Sequence, residues 1–118
     1  MAAHVEVVLD AADVDRLAAF WAPALGYRPY GRFEQYRSLV DPDGVGPKLI
    51  LQQVPEPRAG KNRMHLDVHV PDVDAEVGRL EGLGARRLDR VPIAAAGTVW
   101  VRMHDPEGNE FCVCRLEP

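Results

Sequence analysis

DVDRLAAFWAPALGYR, which spans Asp13–Arg28, and DVDAEVGRLEGLGAR, which spans Asp72–Arg86, are similar stretches of one chain. Each stretch opens on an Asp, a favourable helix N-cap, and continues with apolar residues at helical spacing. Gly26 and Gly84 predict where the two helices end, while Pro23 predicts that the first helix kinks or ends early. Because self-similarity indicates a repeated structural unit, the sequence predicts two modules with one helix each.

The remainder of each module has the pattern of β-strands. Apolar and polar residues alternate, which is the strand period, and each module contains an Asp-Pro-x-Gly segment that is typical of a hairpin turn. The order of elements is therefore βαβββ, repeated once, which predicts an α+β fold. The predicted strands cover residues 4–10, 37–40, 49–54, 65–70, 86–90, 98–104 and 111–116, and the two turns cover 41–44 and 105–108.

Length and charge limit the classes of function. A chain of 118 residues fits one domain, here with modules at about 1–55 and 62–118 joined near Pro55–Asn62. The net charge of −4, with 14 basic against 18 acidic residues and no basic block, argues against nucleic acid as a partner. No apolar run approaches the ~20 residues that a membrane-spanning helix needs.

The cysteines and the start of the chain predict a reduced, cytoplasmic protein. Cys112 and Cys114 are separated by one residue, a spacing that suits neither a disulfide nor a zinc knuckle. His4, Glu6 and Asp10 interrupt the early apolar residues, so we expect no signal peptide.

Alternation gives the predicted sheet one apolar face and one face rich in chemically active side chains. The apolar face is expected to pack against the helices. The other face suits a pocket, although an ordinary solvated sheet face is the alternative. Apolar positions are Val5, Val7, Leu9, Leu49, Leu51, Leu66, Val68, Val70, Val99, Val101, Met103, Phe111 and Val113. The opposite face carries His4, Glu6, Ile50, Gln52, His65, Asp67, His69, Trp100, Arg102, Glu110, Cys112 and Cys114.

Three stretches of the chain resemble the vicinal oxygen chelate superfamily, and its glyoxalase-like branch most closely. They are residues 9–27, residues 61–68 and the segment Asp105–Asn109 before the last strand. The resemblance implies a curved mixed sheet with the helices on the convex face and a pocket on the concave face. It also covers several activities, among them lyases, isomerases, dioxygenases and bleomycin-binding proteins, and fold alone does not select one.

Metal-dependent relatives take their ligands from the first and last strand of each module. Carried over to this chain, those positions fall on Glu6, with His4 beside it, on Ile50 or Gln52, on His65 and on Cys112. The two carboxylates expected from the last strands are missing, so we expect no tightly bound Mg²⁺, Mn²⁺ or Ni²⁺. If a divalent metal is present, the candidate ligands are Glu6, His65 and Cys112, which would suit Zn²⁺.

The sequence thus predicts a glyoxalase-like protein that binds a small organic, oxygen-rich or anionic molecule and has a degenerate metal site. The alternative is a lyase, isomerase or dioxygenase that uses a variant metal site or metal-free acid–base catalysis. We expect a homodimer, because exposed sheet edges invite pairing and two-fold dimers are the commonest oligomers. The candidate catalytic residues are His65, Glu6 and Asp67, and the candidate ligand-binding residues are Gln52, Trp100, Arg102, Cys112 and His4.

Overall fold

The structure is a computed structural model that describes residues 4–62, 64–95 and 97–116. Arg63, within one of the stretches that carry the family resemblance, lies outside the described residues. Two compact units divide between Arg58 and Ala59, inside the predicted joining stretch. Each unit has one helix and one mixed sheet, as the α+β prediction requires.

The first module has the predicted βαβββ order. Its sheet runs β1-β4-β3-β2, with β1 parallel to β4 and the other neighbours antiparallel. The strand β2 was not located by the alternation, since most of its residues are polar, aromatic, Gly or Pro. The elements are β1 (Val7–Ala11), α1 (Val14–Leu25), β2 (Arg28–Phe33), β3 (Tyr36–Val40) and β4 (Leu49–Gln53).

The second module repeats this order with one additional strand. Its sheet runs β5-β9-β8-β6, with β5 parallel to β9 and with the additional strand β7 paired to β8. The elements are β5 (Leu66–His69), α2 (Val73–Gly82), β6 (Arg86–Arg87), β7 (Ile93–Ala95), β8 (Thr98–His104) and β9 (Glu110–Leu116).

The two helices begin in the same way. The side chain of Asp13 accepts a hydrogen bond from the backbone N–H of Arg16, and Asp72 accepts one from Ala75. Helix α1 then continues through Pro23 to Leu25, so of the two outcomes predicted for Pro23, a kink or an early end, the early end does not occur. It stops at Gly26, whose φ of 70° is the left-handed conformation that a glycine adopts without strain.

The predicted apolar face is confirmed in the central strands and weaker at the edges. The helices pack on these strands, and the alternating apolar side chains beneath them are buried. Leu66 and Val68 are only half-buried because β5 is an edge strand, and Val5, which precedes β1, is exposed. In the first sheet, Leu51 is fully buried, as are Leu17, Phe20 and Trp21 of α1, which packs on that sheet. In the second sheet the fully buried side chains are Val101, Met103, Phe111 and Val113, and α2, which packs on that sheet, buries Val77 and Leu80.

Both Asp-Pro turns are hairpin connections, as predicted. In each, the Gly backbone N–H donates to the carbonyl of the Asp, at 2.9 Å for Asp41 and 2.9 Å for Asp105. The carboxylate of Asp105 is buried and accepts hydrogen bonds from the backbone N–H groups of Glu107 and Asn109. This turn therefore fixes the start of β9, the strand that carries both cysteines.

Candidate functional site

One face of the second sheet packs against helix α2, and the other face contains a cavity of about 370 Å³. Its walls come from β5, β7, β8 and β9, so it belongs to the second module alone. It combines one aromatic wall with imidazole, carboxylate and thiol groups, a mixture that is typical of small-molecule sites. The lining residues are His65, Asp67, His69, Ala95, Thr98, Trp100, Cys112 and Cys114.

Strand register explains why these side chains meet. In the parallel pair, Asp67 lies opposite Cys112, and His69 lies opposite Cys114. On the other side of β9, Cys114 is also opposite Trp100 of β8. Because side chains two residues apart share a face, one register places the whole set on the same side of the sheet.

The imidazole of His65 and the carboxylate of Asp67 are in contact at one side of the cavity. The Nε2 atom of His65 lies 3.2 Å from Oδ1 of Asp67, and the two side chains are 46% and 53% exposed. The two residues are separated by one position along the chain, so the contact is local. An imidazole held by a carboxylate is an arrangement that general bases use.

The two cysteines are free and buried. Burial, reinforced by the negative charge of Asp67, raises the pKa of Cys112 to about 11. Burial and Asp67 also raise the pKa of Cys114, whose thiol lies 3.7 Å from the carbonyl oxygen of Val68. Neither thiol therefore has the lowered pKa of a catalytic nucleophile.

Metal-ligating atoms converge in two groups on this face. His65, Asp67 and Cys112 form one group, and Asp67, His69 and Cys114 form the other. Within each group all the ligand atoms lie within 4.8 Å of one another. The first group contains His65 and Cys112, two of the three ligands expected from the sequence; its third member is Asp67 rather than Glu6.

Arg102 lies on the same strand face but its guanidinium is engaged elsewhere. Its Nε and Nη2 atoms donate to the carboxylate of Asp89, with the shortest contact at 2.8 Å. Arg102 is in register with Cys112, which lines the cavity, but Arg102 itself is not a lining residue. The side-chain hydrogen bond from Arg102 lowers the pKa of Asp89.

The candidates from the first module are placed differently. His4 is exposed before β1, and the carboxylate of Glu6 lies 3.9 Å from Nζ of Lys48. Gln52 is half-buried on β4, in register with Asp10 and Tyr36. This module has its own cavity, of about 480 Å³, with a largely aromatic and aliphatic lining that includes Val8, Tyr30, Phe33, Tyr36 and Ile50.

Two of the lining residues with metal-ligating side chains, His69 and Cys114, have no role in the sequence-based prediction. Both belong to the predicted polar strand face, and neither has a predicted function. Both have the same strand parity as Asp67 and Cys112, so the alternation already placed them on this face. What the alternation lacked was the β5–β9 register, which pairs His69 with Cys114.

A comparison with protein families confirms the resemblance seen in residues 9–27, 61–68 and 105–109. Residues 6–114 match the family described as Glyoxalase-like domain. The chain belongs to the glyoxalase-like domain family. It is thus a member of the vicinal oxygen chelate superfamily, and its two-module α+β architecture is that of the family.

Solved structures share the glyoxalase-like fold at low sequence identity. A glyoxalase/bleomycin resistance protein/dioxygenase family enzyme from Burkholderia phytofirmans has a TM-score of 0.79 and 18% identity, with 94% of this chain and 96% of that chain covered. The fosfomycin resistance protein FosX from Listeria monocytogenes has a TM-score of 0.79 and 12% identity, over 98% and 93%. TioX from Micromonospora has a TM-score of 0.70 and 23% identity, over 98% and 99%. No curated protein matches the chain.

The residues at the ligand positions of metal-dependent relatives do not have the donor atoms that a hard dication prefers. Mg²⁺ and Mn²⁺ prefer oxygen ligands, whereas the last strands carry Ile50, Gln52 and Cys112 at the places expected for carboxylates. The second module offers two imidazoles, two thiols and a single carboxylate around its cavity. Nitrogen and sulfur donors of this kind suit Zn²⁺ instead.

Proposed function

We propose that this glyoxalase-like protein binds a small organic, oxygen-bearing molecule on the cavity face of β5, β8 and β9. The observation that carries the proposal is the cavity of about 370 Å³, in which the half-buried ring of Trp100 faces a row of polar side chains. An apolar wall combined with a few convergent polar groups orients a small ligand.

The polar groups indicate which ligand atoms would be recognised. His65 and His69 can each donate or accept a hydrogen bond through a ring nitrogen, and Asp67 accepts. An oxygen-bearing ligand, such as a hydroxyl or carbonyl compound, can pair with both kinds of group. Because Arg102 is already paired with Asp89, its charge favours an anionic ligand less than an unpaired guanidinium would.

Tryptophan fluorescence tests this proposal. The chain has two Trp residues, and Trp21 is buried in helix α1 at 2% exposure, so only Trp100 borders the cavity. We expect members of a fragment set of small diols, hydroxy ketones and carboxylates to change the emission of the wild type and not that of Trp100→Phe. Equal changes in both proteins, or none with any fragment, would overturn the proposal.

A catalytic alternative rests on one contact, the 3.2 Å approach of His65 Nε2 to Asp67 Oδ1. In this alternative His65 removes a proton from the bound molecule, and Asp67 holds the imidazole in place. The expected sign is exchange of a carbon-bound proton of a binding fragment in D₂O, followed by NMR. If a fragment binds but its proton does not exchange, the catalytic alternative is wrong and the protein only binds. If exchange persists in His65→Ala, a group other than His65 removes the proton.

The proposal also includes a cytoplasmic location and a homodimeric state. Two free cysteines suit the reducing cytoplasm, where thiols persist. None of the helices in the described part of the chain is long and apolar enough to cross a membrane. The homodimer expected from the sequence remains part of this proposal.

A further inference from the structure

The Asp67–His69–Cys114 group combines the three kinds of ligand that zinc prefers. Zn²⁺ binds imidazole nitrogen, thiolate sulfur and carboxylate oxygen, and sites with an open position typically use three protein ligands. The carboxylate, imidazole and sulfur atoms of this group all lie within 4.8 Å of one another. No movement between strands is needed to bring them together, because the β5–β9 ladder already places His69 opposite Cys114.

Three features favour this group over the adjoining one, His65–Asp67–Cys112. His69 and Cys114 both lie within strands, whereas His65 precedes β5 and is not held by the ladder. His65 is also occupied with one oxygen of Asp67. Arg102 is in register with Cys112, so a guanidinium, although paired with Asp89, lies beside the first group and not beside the second.

The surroundings of the second group also suit a metal. Trp100 lies opposite Cys114, and Ala95 and Thr98 complete the wall of the cavity on that side. Trp100 and Ala95 give this side of the cavity apolar groups beside the ligand atoms. The side that faces the cavity remains open for a water molecule or a ligand oxygen.

We propose that Asp67, His69 and Cys114 form a Zn²⁺-binding site with one position open to the cavity. The ion binds the thiolate form of Cys114, so the thiol proton passes to solvent on binding. This set is distinct from the ligand positions that the family resemblance implies, because neither His69 nor Cys114 occupies one of them. The site does not depend on the proposed organic ligand, since Zn²⁺ alone can be measured.

The test is a titration of the reduced, chelator-treated full chain with Zn²⁺ in competition with a chromophoric chelator. We expect one ion per chain, and a loss of affinity of about tenfold or more in His69→Asn and in Cys114→Ser. Cys112→Ser is the matched control from the adjoining group, and it should lower the affinity much less than Cys114→Ser does. Circular dichroism melts establish that each variant is folded. If Cys114→Ser unfolds the chain because Cys114 is buried, His69→Asn still tests the site, since His69 is exposed.

Cobalt gives a second readout of the same site. Co²⁺ replaces Zn²⁺ in such sites, and its thiolate charge-transfer absorption reports sulfur ligation. We expect this band in the wild type and in Cys112→Ser, and its loss in Cys114→Ser. A band that persists in Cys114→Ser and disappears in Cys112→Ser would place the ion in the adjoining group and overturn the proposal. So would a dissociation constant for Zn²⁺ weaker than about 100 μM. Failure of the fluorescence test with organic fragments would leave this result unaffected.

Discussion

The carboxylate of Asp89 accepts hydrogen bonds from both the guanidinium and the backbone N–H of Arg102. Asp89 is 11% exposed and Arg102 is 45% exposed, so the acid is the sheltered partner. The pair attaches the segment before β7 to the middle of β8. Arg102 therefore has a structural role in addition to the ligand-binding role expected from the sequence.

This pair should make stability depend on pH in the acidic range. Arg102 lowers the pKa of Asp89 in the folded protein, so the contribution is complete above the ordinary carboxyl pKa of about 4 and is lost as pH falls through the lower folded value. We expect the difference in unfolding free energy between the wild type and Asp89→Asn to be constant near neutral pH and to shrink below about pH 4. Urea unfolding at a series of pH values measures this. Arg102→Gln is the matched control and should show the same narrowing; a difference that does not vary with pH would contradict the argument.

The two faces of the second sheet should respond differently to substitution. Val113 is fully buried beneath α2, so Val113→Asp places an unpaired charge in the core and should destabilise the protein by about 3–5 kcal/mol. His65→Ala, on the cavity face, should change stability by less than about 1 kcal/mol. Thermal melts of both variants check the assignment, which fails if they are equally destabilised. Leu66→Asp is a weaker test, since Leu66 is half-buried.

Local patterns predicted most of the fold, because the relevant signals are local. The Asp13 and Asp72 caps, the Asp-Pro turns and the alternation in β8 and β9 each depend on a few neighbouring residues. Strand β2 gave no alternation because its residues are exposed at every position.

The candidate site was only partly predictable, because it depends on register between strands distant in sequence. Alternation identified the face that carries His65, Asp67 and Cys112, whereas the pairing of His69 with Cys114 is a property of the parallel β5–β9 ladder. The partner of Arg102 could not be predicted either, since Asp89 lies in a segment with little periodic pattern. Long-range pairings of this kind are not encoded in a short window of sequence.

The two Asp-Pro turns should contribute different amounts to the free energy of unfolding. Asp105 is 3% exposed, and its carboxylate satisfies buried N–H groups, including that of Asn109. Asp105→Ala leaves those donors without partners and should cost about 2–3 kcal/mol. The equivalent Asp41 binds three backbone N–H groups at a more exposed turn, so Asp41→Ala should cost less. Denaturant unfolding of the two variants gives the comparison, and an equal or reversed order would refute it.

The oligomeric state is a further prediction. Strand β2 is at one edge of the first sheet and is exposed along its whole length, and its Tyr30 and Phe33 are 62% and 71% exposed. Apolar side chains and unpaired backbone groups at a sheet edge favour association with a second copy. Light scattering over a range of concentrations should give the mass of a dimer. A monomer at high micromolar concentration would exclude this expectation.

The most direct test of the proposed function is NMR of the ¹⁵N-labelled protein with the same fragment set of small diols, hydroxy ketones and carboxylates. The central claim is that ligand recognition belongs to the cavity face of β5, β8 and β9. We therefore expect the amide shifts that change on binding to cluster on His65–His69, Thr98–Trp100 and Cys112–Cys114. Shifts that cluster instead around Val8, Tyr30 and Ile50 of the first module, or fragments that shift no amides in the second module, would contradict it.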